Sequence, residues 1–221
     1  LYAVCEDRGG VFPAHALTQR YRMAREMAGV LPLGKGPGGF SEVAFFWSLP
    51  VKAYAAWRAE GMESWKTAVL QLWPETACLL GQLTSPGQLT FATYRDAVLR
   101  RWHRGRVVWI GDAGHCTSPQ LGQGANLALL DAMMLTTVLQ KEPSVPEALK
   151  TFSAARRGSL RYYQWASRWL TPFFQSDSVI TPWLRDRLFD PMASIPGMER
   201  QMLQTVAGMK TGAFSACSLH I

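Results

Sequence analysis

The residues best suited to chemistry are gathered in one run, Gly111-Asp112-Ala113-Gly114-His115-Cys116-Thr117-Ser118-Pro119-Gln120-Leu121-Gly122-Gln123-Gly124-Ala125-Asn126, followed by Leu-Ala-Leu-Leu-Asp-Ala at 127–132. Asp112 comes directly after an apolar stretch and can accept hydrogen bonds from sugar-like hydroxyls, while the adjacent Gly111 allows close backbone approach. Gly122 and Gly124 let the backbone pass near a flat ligand. A helix starting close to Ala125 would aim unpaired N–H groups and the positive end of its dipole at that ligand. The dipole alone contributes ~0.3–1 kcal/mol, so the directed N–H groups matter more where water is excluded. The pattern therefore suits an electron-rich, partly anionic flat group carrying a hydroxylated chain.

Other chemistries fit the run poorly. Asp112, His115 and Cys116 would crowd three metal ligands onto one turn, with no distant fourth partner to complete a tetrahedral zinc site. A serine hydrolase needs its nucleophile on a strand-to-helix elbow of the type G-x-S-x-G, which the chain lacks.

The elements that must position the run are readable from periodicity. Val107-Val108-Trp109-Ile110 is a continuous apolar stretch ending at Gly-Asp, as expected of a buried strand that opens into a loop. Beyond the loop, Leu127, Leu130, Met134 and Thr137-Val138 share one helical face that ends near Lys141, before Pro143. Ser144-Val145-Pro146-Glu147 has the form of a capping box, and the helix it opens runs to about Leu170, with Leu149, Phe152, Leu160, Tyr163 and Leu170 facing the core. Pro172 stops it, and the remainder reads as helix interrupted by Pro182, Pro191 and Pro196. Upstream, residues 41–49 form a strand ending at Pro50. Two short helices broken at Gly61 come next over 51–73, and 89–99 is extended or mixed. The glycine-rich stretch 34–39 reads as a turn between strands, because Pro37 removes a donor that a phosphate loop would need.

Of the 221 residues, 48% are hydrophobic and 18% charged, which is the composition of a globular chain. The net charge of +7 is spread out, its densest group being Arg100, Arg101, Arg104 and Arg106. No nucleic-acid-binding signature accompanies it, so a negatively charged cofactor or substrate is the expected partner. Cys5, Cys78, Cys116 and Cys217 are far apart without a CxxC pair, which fits reduced thiols in a cytoplasmic protein. No apolar run is long enough to span a bilayer, so membrane association is not expected. The chain opens Leu1-Tyr2-Ala3 and its first methionine is Met23, so the natural N-terminus is expected upstream.

The pattern GDAGH, then Pro119, GQGAN and L-x-D-A resembles the second FAD motif of the FAD-dependent aromatic hydroxylase family, the p-hydroxybenzoate hydroxylase-like flavoprotein monooxygenases. Gly114 stands where that family usually has a second alanine. The resemblance implies that Gly111 and Asp112 meet the ribityl chain, that Pro119 borders the flavin and the reaction cavity, and that backbone from Leu121 through Gly122, Gln123, Gly124 and Ala125 to Asn126 holds the pyrimidine edge. His115 and the Asn126 side chain brace the loop in this reading, and no catalytic residue is assigned. The family's βαβ unit carrying GxGxxG is absent, since 34–39 reads as a turn between strands, and no Asp-Gly motif follows, so the first half of the FAD site is expected upstream.

The resemblance implies an α/β fold, the C-terminal part of a Rossmann-like flavoprotein with a mixed-sheet substrate domain and a helical C-terminal region. The expected division is 1–100 for the substrate domain, 101–142 for the FAD-binding segment and 143–221 for the helical region. The implied activity is NAD(P)H-dependent monooxygenation of an aromatic or related small molecule by dioxygen, through a flavin hydroperoxide, with a homodimer as the expected assembly. The aromatic residues over 40–57 and 91–94 would wall the substrate pocket. A dehydrogenase or epoxidase on the same fold is the competing reaction. A membrane-surface or partner-binding role for the Trp- and Arg-rich helices over 162–189 is the competing class.

Overall fold

The structure, a computed structural model, describes residues 1–213, 215 and 216, and of Asp190 and Ala193 the backbone alone; Cys217 lies outside the described residues. It divides into two units, residues 1–93 with 174–182, and residues 94–173 with 183–221.

The first unit is built on four strands, β1 (Tyr2–Asp7), β2 (Thr18–Arg22), β3 (Glu26–Lys35) and β4 (Ser41–Trp47), in the antiparallel order β1-β4-β3-β2. Alternation sets which face is buried: Ala3, Cys5, Val43, Phe45 and Trp47 point inward, and Tyr2 and Val4 point out. The expected strand over 41–49 is therefore β4, and the glycine-rich stretch forms the hairpin, with Lys35 opposite Ser41. Pro32 sits where the β3–β4 register shifts, a place where a residue without an N–H is tolerated.

Three helices cover the buried face. They are α1 (Tyr54–Glu60), α2 (Met62–Leu72) and α3 (Ala77–Leu80), with Gly61 separating the first two as the sequence suggests. Met62, Trp65 and Val69 of α2 join Phe45, Trp47, Trp73, Leu79 and Leu80 in one apolar cluster. Tyr54 stacks on Phe91 at 3.8 Å at the edge of this cluster, so these aromatics pack together within the unit.

The second unit opens with an extended segment, then a short hairpin of β5 (His103–Arg104) and β6 (Val107–Val108). A single helical turn α4 (Asp112–His115) and a one-turn 3-10 segment (Pro119–Leu121) lead into α5 (Gly124–Lys141). The expected buried strand over 107–110 is shorter and more open than its apolar composition implies, with Val107 56% exposed. Its only strand partner among the described residues is β5, and Leu129 and Met133 on the outer face of α5 are exposed as well.

The long helix α6 (Val145–Phe174) packs against α5 through Leu127, Leu160 and Tyr163 in one cluster and Val138, Ala148 and Phe152 in another. Its start is capped by Ser144, whose hydroxyl lies 3.4 Å from the Glu147 N–H and donates to the Glu147 carboxylate at 2.8 Å. Helix α6 runs two residues past Pro172, which removes one N–H from its last turn, and stops there. Two further helices complete the chain's described course, α7 (Ile180–Ala193) and α8 (Met198–Val206). Pro182 lies in the first turn of α7, where its missing N–H costs nothing, and Pro191 in the last.

Candidate functional site

Every residue that the sequence singled out for FAD binding lies in the second unit, around the entry to α5. The backbone at Gly111 has φ +55° and ψ −142°, a conformation only glycine adopts readily, and a Cβ there would sit 3.0 Å from that of Ala128. This lets the chain reverse sharply into α4, so that Asp112 emerges as its first residue. The Gly111 carbonyl accepts the N–H groups of Gly114 and His115, both at 2.9 Å, and closes the turn.

Asp112 is exposed and its carboxylate makes no hydrogen bond or ion pair among the described residues. It lies beside the start of α5, with Oδ1 3.8 Å from where a Gly124 side chain would begin. The first turn of α5 leaves three N–H groups, those of residues 124–126, without an intrahelical acceptor, since the ladder begins with Leu127 bonding Gln123 at 2.9 Å. Gly122 has φ +62° and ends the 3-10 turn, and Gly122, Gly124 and Ala125 are exposed. A free carboxylate and a set of open N–H donors thus share one surface, with Pro119 exposed on the preceding turn. These groups fit an electron-rich flat ring with a hydroxylated chain: acceptor for the hydroxyls, donors for the ring edge.

The side chains of Gln123 and Asn126 do different work from the backbone around them. Gln123 is buried and donates to the Val206 carbonyl at 2.7 Å, while its own carbonyl accepts from the Asn126 amide at 2.9 Å. Gly208 rests against Asn126, and a Cβ there would meet its amide nitrogen at 2.0 Å. The turn after α8 is thereby clamped to the α5 entry.

His115 is buried, and its Nε2 lies 2.5 Å from Oδ2 of Asp131, which is fully buried. The same oxygen accepts the Gly111 N–H at 3.0 Å, and Oδ1 takes the Arg156 Nε–H at 2.7 Å. Burial alone would raise the Asp131 carboxyl, yet hydrogen bonds from His115, Gly111 and Arg156, with attraction to His115, hold it below its usual value. The Cys116 thiol is pushed up by burial and by the negative charges of Asp112 and Asp96, which keeps it protonated.

Sequence reasoning gave no role to Asp131, Arg156 or Asp96. A signal existed for the first two. Asp131 falls between Leu127 and Met134 on the apolar face of α5, and Arg156 between Phe152 and Leu160 on that of α6, so each helix carries a charge where the core should be. Asp96 had no such signal. It accepts the Ser118 N–H at 3.0 Å and pairs with Arg168 at 3.2 Å.

Comparison with known proteins is consistent with this geometry. A family model described as an FAD binding domain matches residues 21–161. The chain is 36% identical over 102 residues to the 2-heptyl-3-hydroxy-4(1H)-quinolone synthase of Pseudomonas aeruginosa, covering 46% of this chain and 26% of that protein. It is 32% identical over 96 residues to the aurachin C monooxygenase/isomerase of Stigmatella aurantiaca, covering 43% of this chain and 25% of that protein. Among solved structures, Klebsiella pneumoniae HpxO complexed with FAD and uric acid aligns with a TM-score of 0.70 at 20% identity, over 97% of this chain and 53% of that one. The chain thus aligns to about a quarter of the length of these curated relatives and about half of that solved chain.

Proposed function

Because the chain belongs to the FAD binding domain family, we propose that it forms part of the flavin site of an FAD-dependent monooxygenase acting on an aromatic or related small organic substrate. The observation that carries this reading is the free Asp112 carboxylate beside the open first turn of α5. Bound FAD would supply the redox and oxygen-transfer chemistry, and the protein supplies position, polarity and exclusion of water.

In this reading Asp112 accepts hydrogen bonds from the ribityl hydroxyls, where charge-assisted bonds are stronger than neutral ones. The N–H groups of Gly124, Ala125 and Asn126 point at the pyrimidine edge and, with the α5 dipole, favour negative charge there. Gly111 and Gly122 bring the backbone close, and Leu121 and Gln123 complete the segment that tracks the ring. Pro119 borders the reaction cavity and presents no N–H toward it. The electrons come from NAD(P)H and the inserted oxygen from dioxygen. The two curated relatives are named for a quinolone and for aurachin C, and a planar heteroaromatic ring is the substrate class proposed here. A homodimer is proposed as the assembly, with the exposed, stacked Trp165 and Trp169 of α6 as the surface available to a second copy.

Labelled dioxygen tests the reaction. With the chain extended upstream to include the expected first half of the FAD site, and FAD, NAD(P)H and a 4-quinolone supplied, one labelled oxygen atom is expected in the product. NAD(P)H consumption without label in the product would replace monooxygenation by a dehydrogenase or oxidase reaction.

A further inference from the structure

We propose that Asp131 and Arg156 are positioning residues for the flavin site, a buried latch that holds Asp112 in place by gripping both ends of the turn that carries it. The proposal rests on the flavin reading above and extends it to residues that touch no flavin.

The geometry is specific. Asp112 lies between Gly111 and His115, and one oxygen of Asp131 binds both flanking residues, the Gly111 N–H at 3.0 Å and the His115 ring at 2.5 Å. Two bonds to one atom tie both ends of the turn to a single buried point. The carboxylate is held in turn by Arg156, whose Nε donates to its other oxygen at 2.7 Å and whose terminal nitrogen lies 3.4 Å from the Leu127 carbonyl of α5. The chain of bonds runs from α6 through α5 to the turn, and all three residues are at most 6% exposed.

The sequence alternative, an apolar residue at each of these helix positions, would pack the two helices but offer Gly111 and His115 no acceptor. A buried ionic group is a poor route to stability, since well-packed apolar replacements are often as stable, so its directional bonds are the property that packing cannot replace. The Gly111 conformation makes such bonds necessary. Glycine has the widest backbone freedom of any residue, and a turn entered through it wanders unless something outside the turn fixes it.

The test measures FAD affinity and folding stability separately, by flavin fluorescence titration and thermal unfolding of the chain extended upstream to include the expected first half of the FAD site. Arg156→Met is expected to weaken FAD on the order of tenfold, as losing a supporting partner does at other preorganised sites, and to speed amide exchange at Gly111. Arg156→Lys, which keeps the charge but replaces the two separate guanidinium nitrogens that reach Asp131 and Leu127 by one, should fall between it and the parent. Leu149→Ala, a core truncation two helical turns away on α6, is the control: it lowers thermal stability and should leave FAD affinity within about twofold of the parent. The latch is refuted if Arg156→Met binds FAD like the parent, or if Leu149→Ala weakens FAD as much. Should Arg156→Met fail to fold, Arg156→Lys decides by the same two readouts. If the parent binds no FAD while remaining folded, the flavin reading itself fails, and the Gly111 exchange rates still report whether the latch holds the turn.

Discussion

In the sheet unit, Phe45, Trp65, Val69, Leu79 and Leu80 meet in one continuous apolar cluster, and its one buried carboxylate, Asp7, is satisfied locally by the N–H groups of Val11 and Phe12 at 2.9 Å each. In the loop unit the apolar contacts fall into two smaller clusters, and the fully buried Asp131 draws its partners from both ends of the turn over 111–115 and from α6. The contrast separates two tasks. Apolar packing is non-directional and suffices to hold a sheet against helices. Holding a four-residue turn so that one carboxylate faces a ligand takes bonds with angles as well as distances.

The largest expected effects test whether the two units do depend on different forces. Trp65→Ala should cost ~3–5 kcal/mol through lost burial and the cavity left behind. Arg156→Met should cost a similar ~3–5 kcal/mol by stranding a buried charge. Denaturant unfolding measures both. The comparison sharpens with the triple substitution Asp131→Leu, Arg156→Met and His115→Phe: most of the lost stability should return and the lost FAD affinity should not, because apolar groups can pack but cannot grip Gly111.

Acid distinguishes the units further. The folded Asp131 carboxyl is depressed, so its contribution is fully present above the unfolded value of about 3.9 and is lost as pH falls through the lower folded value. The stability gap between the parent and Asp131→Asn should therefore be constant near neutral pH and shrink below about pH 4, while the Trp65→Ala gap should keep its size through the same range. A Trp65→Ala gap that closed in acid as the Asp131→Asn gap does would erase the distinction between the two cores.

Legibility in the sequence divides along the same line. The apolar faces of α5 and α6 were legible at three- and four-residue spacing, because Leu127, Val138, Leu149, Phe152, Leu160 and Tyr163 obey a helix period and do bury. So was the run from Gly111 to Asn126, whose glycines and single carboxylate suggest a ligand by type alone. The apolar run at 107–110 overstated its burial, since composition reports what a strand could bury and not which neighbours are present. Least legible were pairings between distant segments: the Ala97 N–H bonds the Cys116 carbonyl at 2.9 Å, bringing an extended stretch beside the loop, and no local period announces it. The latch was hidden differently, as two charges at core positions whose meaning appears only when both helices are considered together.

A smaller effect belongs to the scaffold of the loop unit. Ser144→Ala removes the cap of α6 and should cost ~1 kcal/mol, seen as a lower unfolding midpoint, with FAD affinity preserved because the cap lies about three helical turns from Arg156. A marked loss of FAD binding there would mean that α6 transmits strain along its length and is not a rigid strut.

The most direct measurement is a flavin fluorescence titration of the chain extended upstream to include the expected first half of the FAD site, as parent and as Asp112→Ala, with thermal unfolding of each. The parent should bind FAD saturably, and Asp112→Ala should weaken it by ~1.5–3 kcal/mol, the range for a hydrogen bond to a charged group, with an unchanged unfolding midpoint since the side chain is exposed. Equal affinity in the two proteins, or no FAD bound by a folded parent, would contradict the assignment of this loop to a flavin.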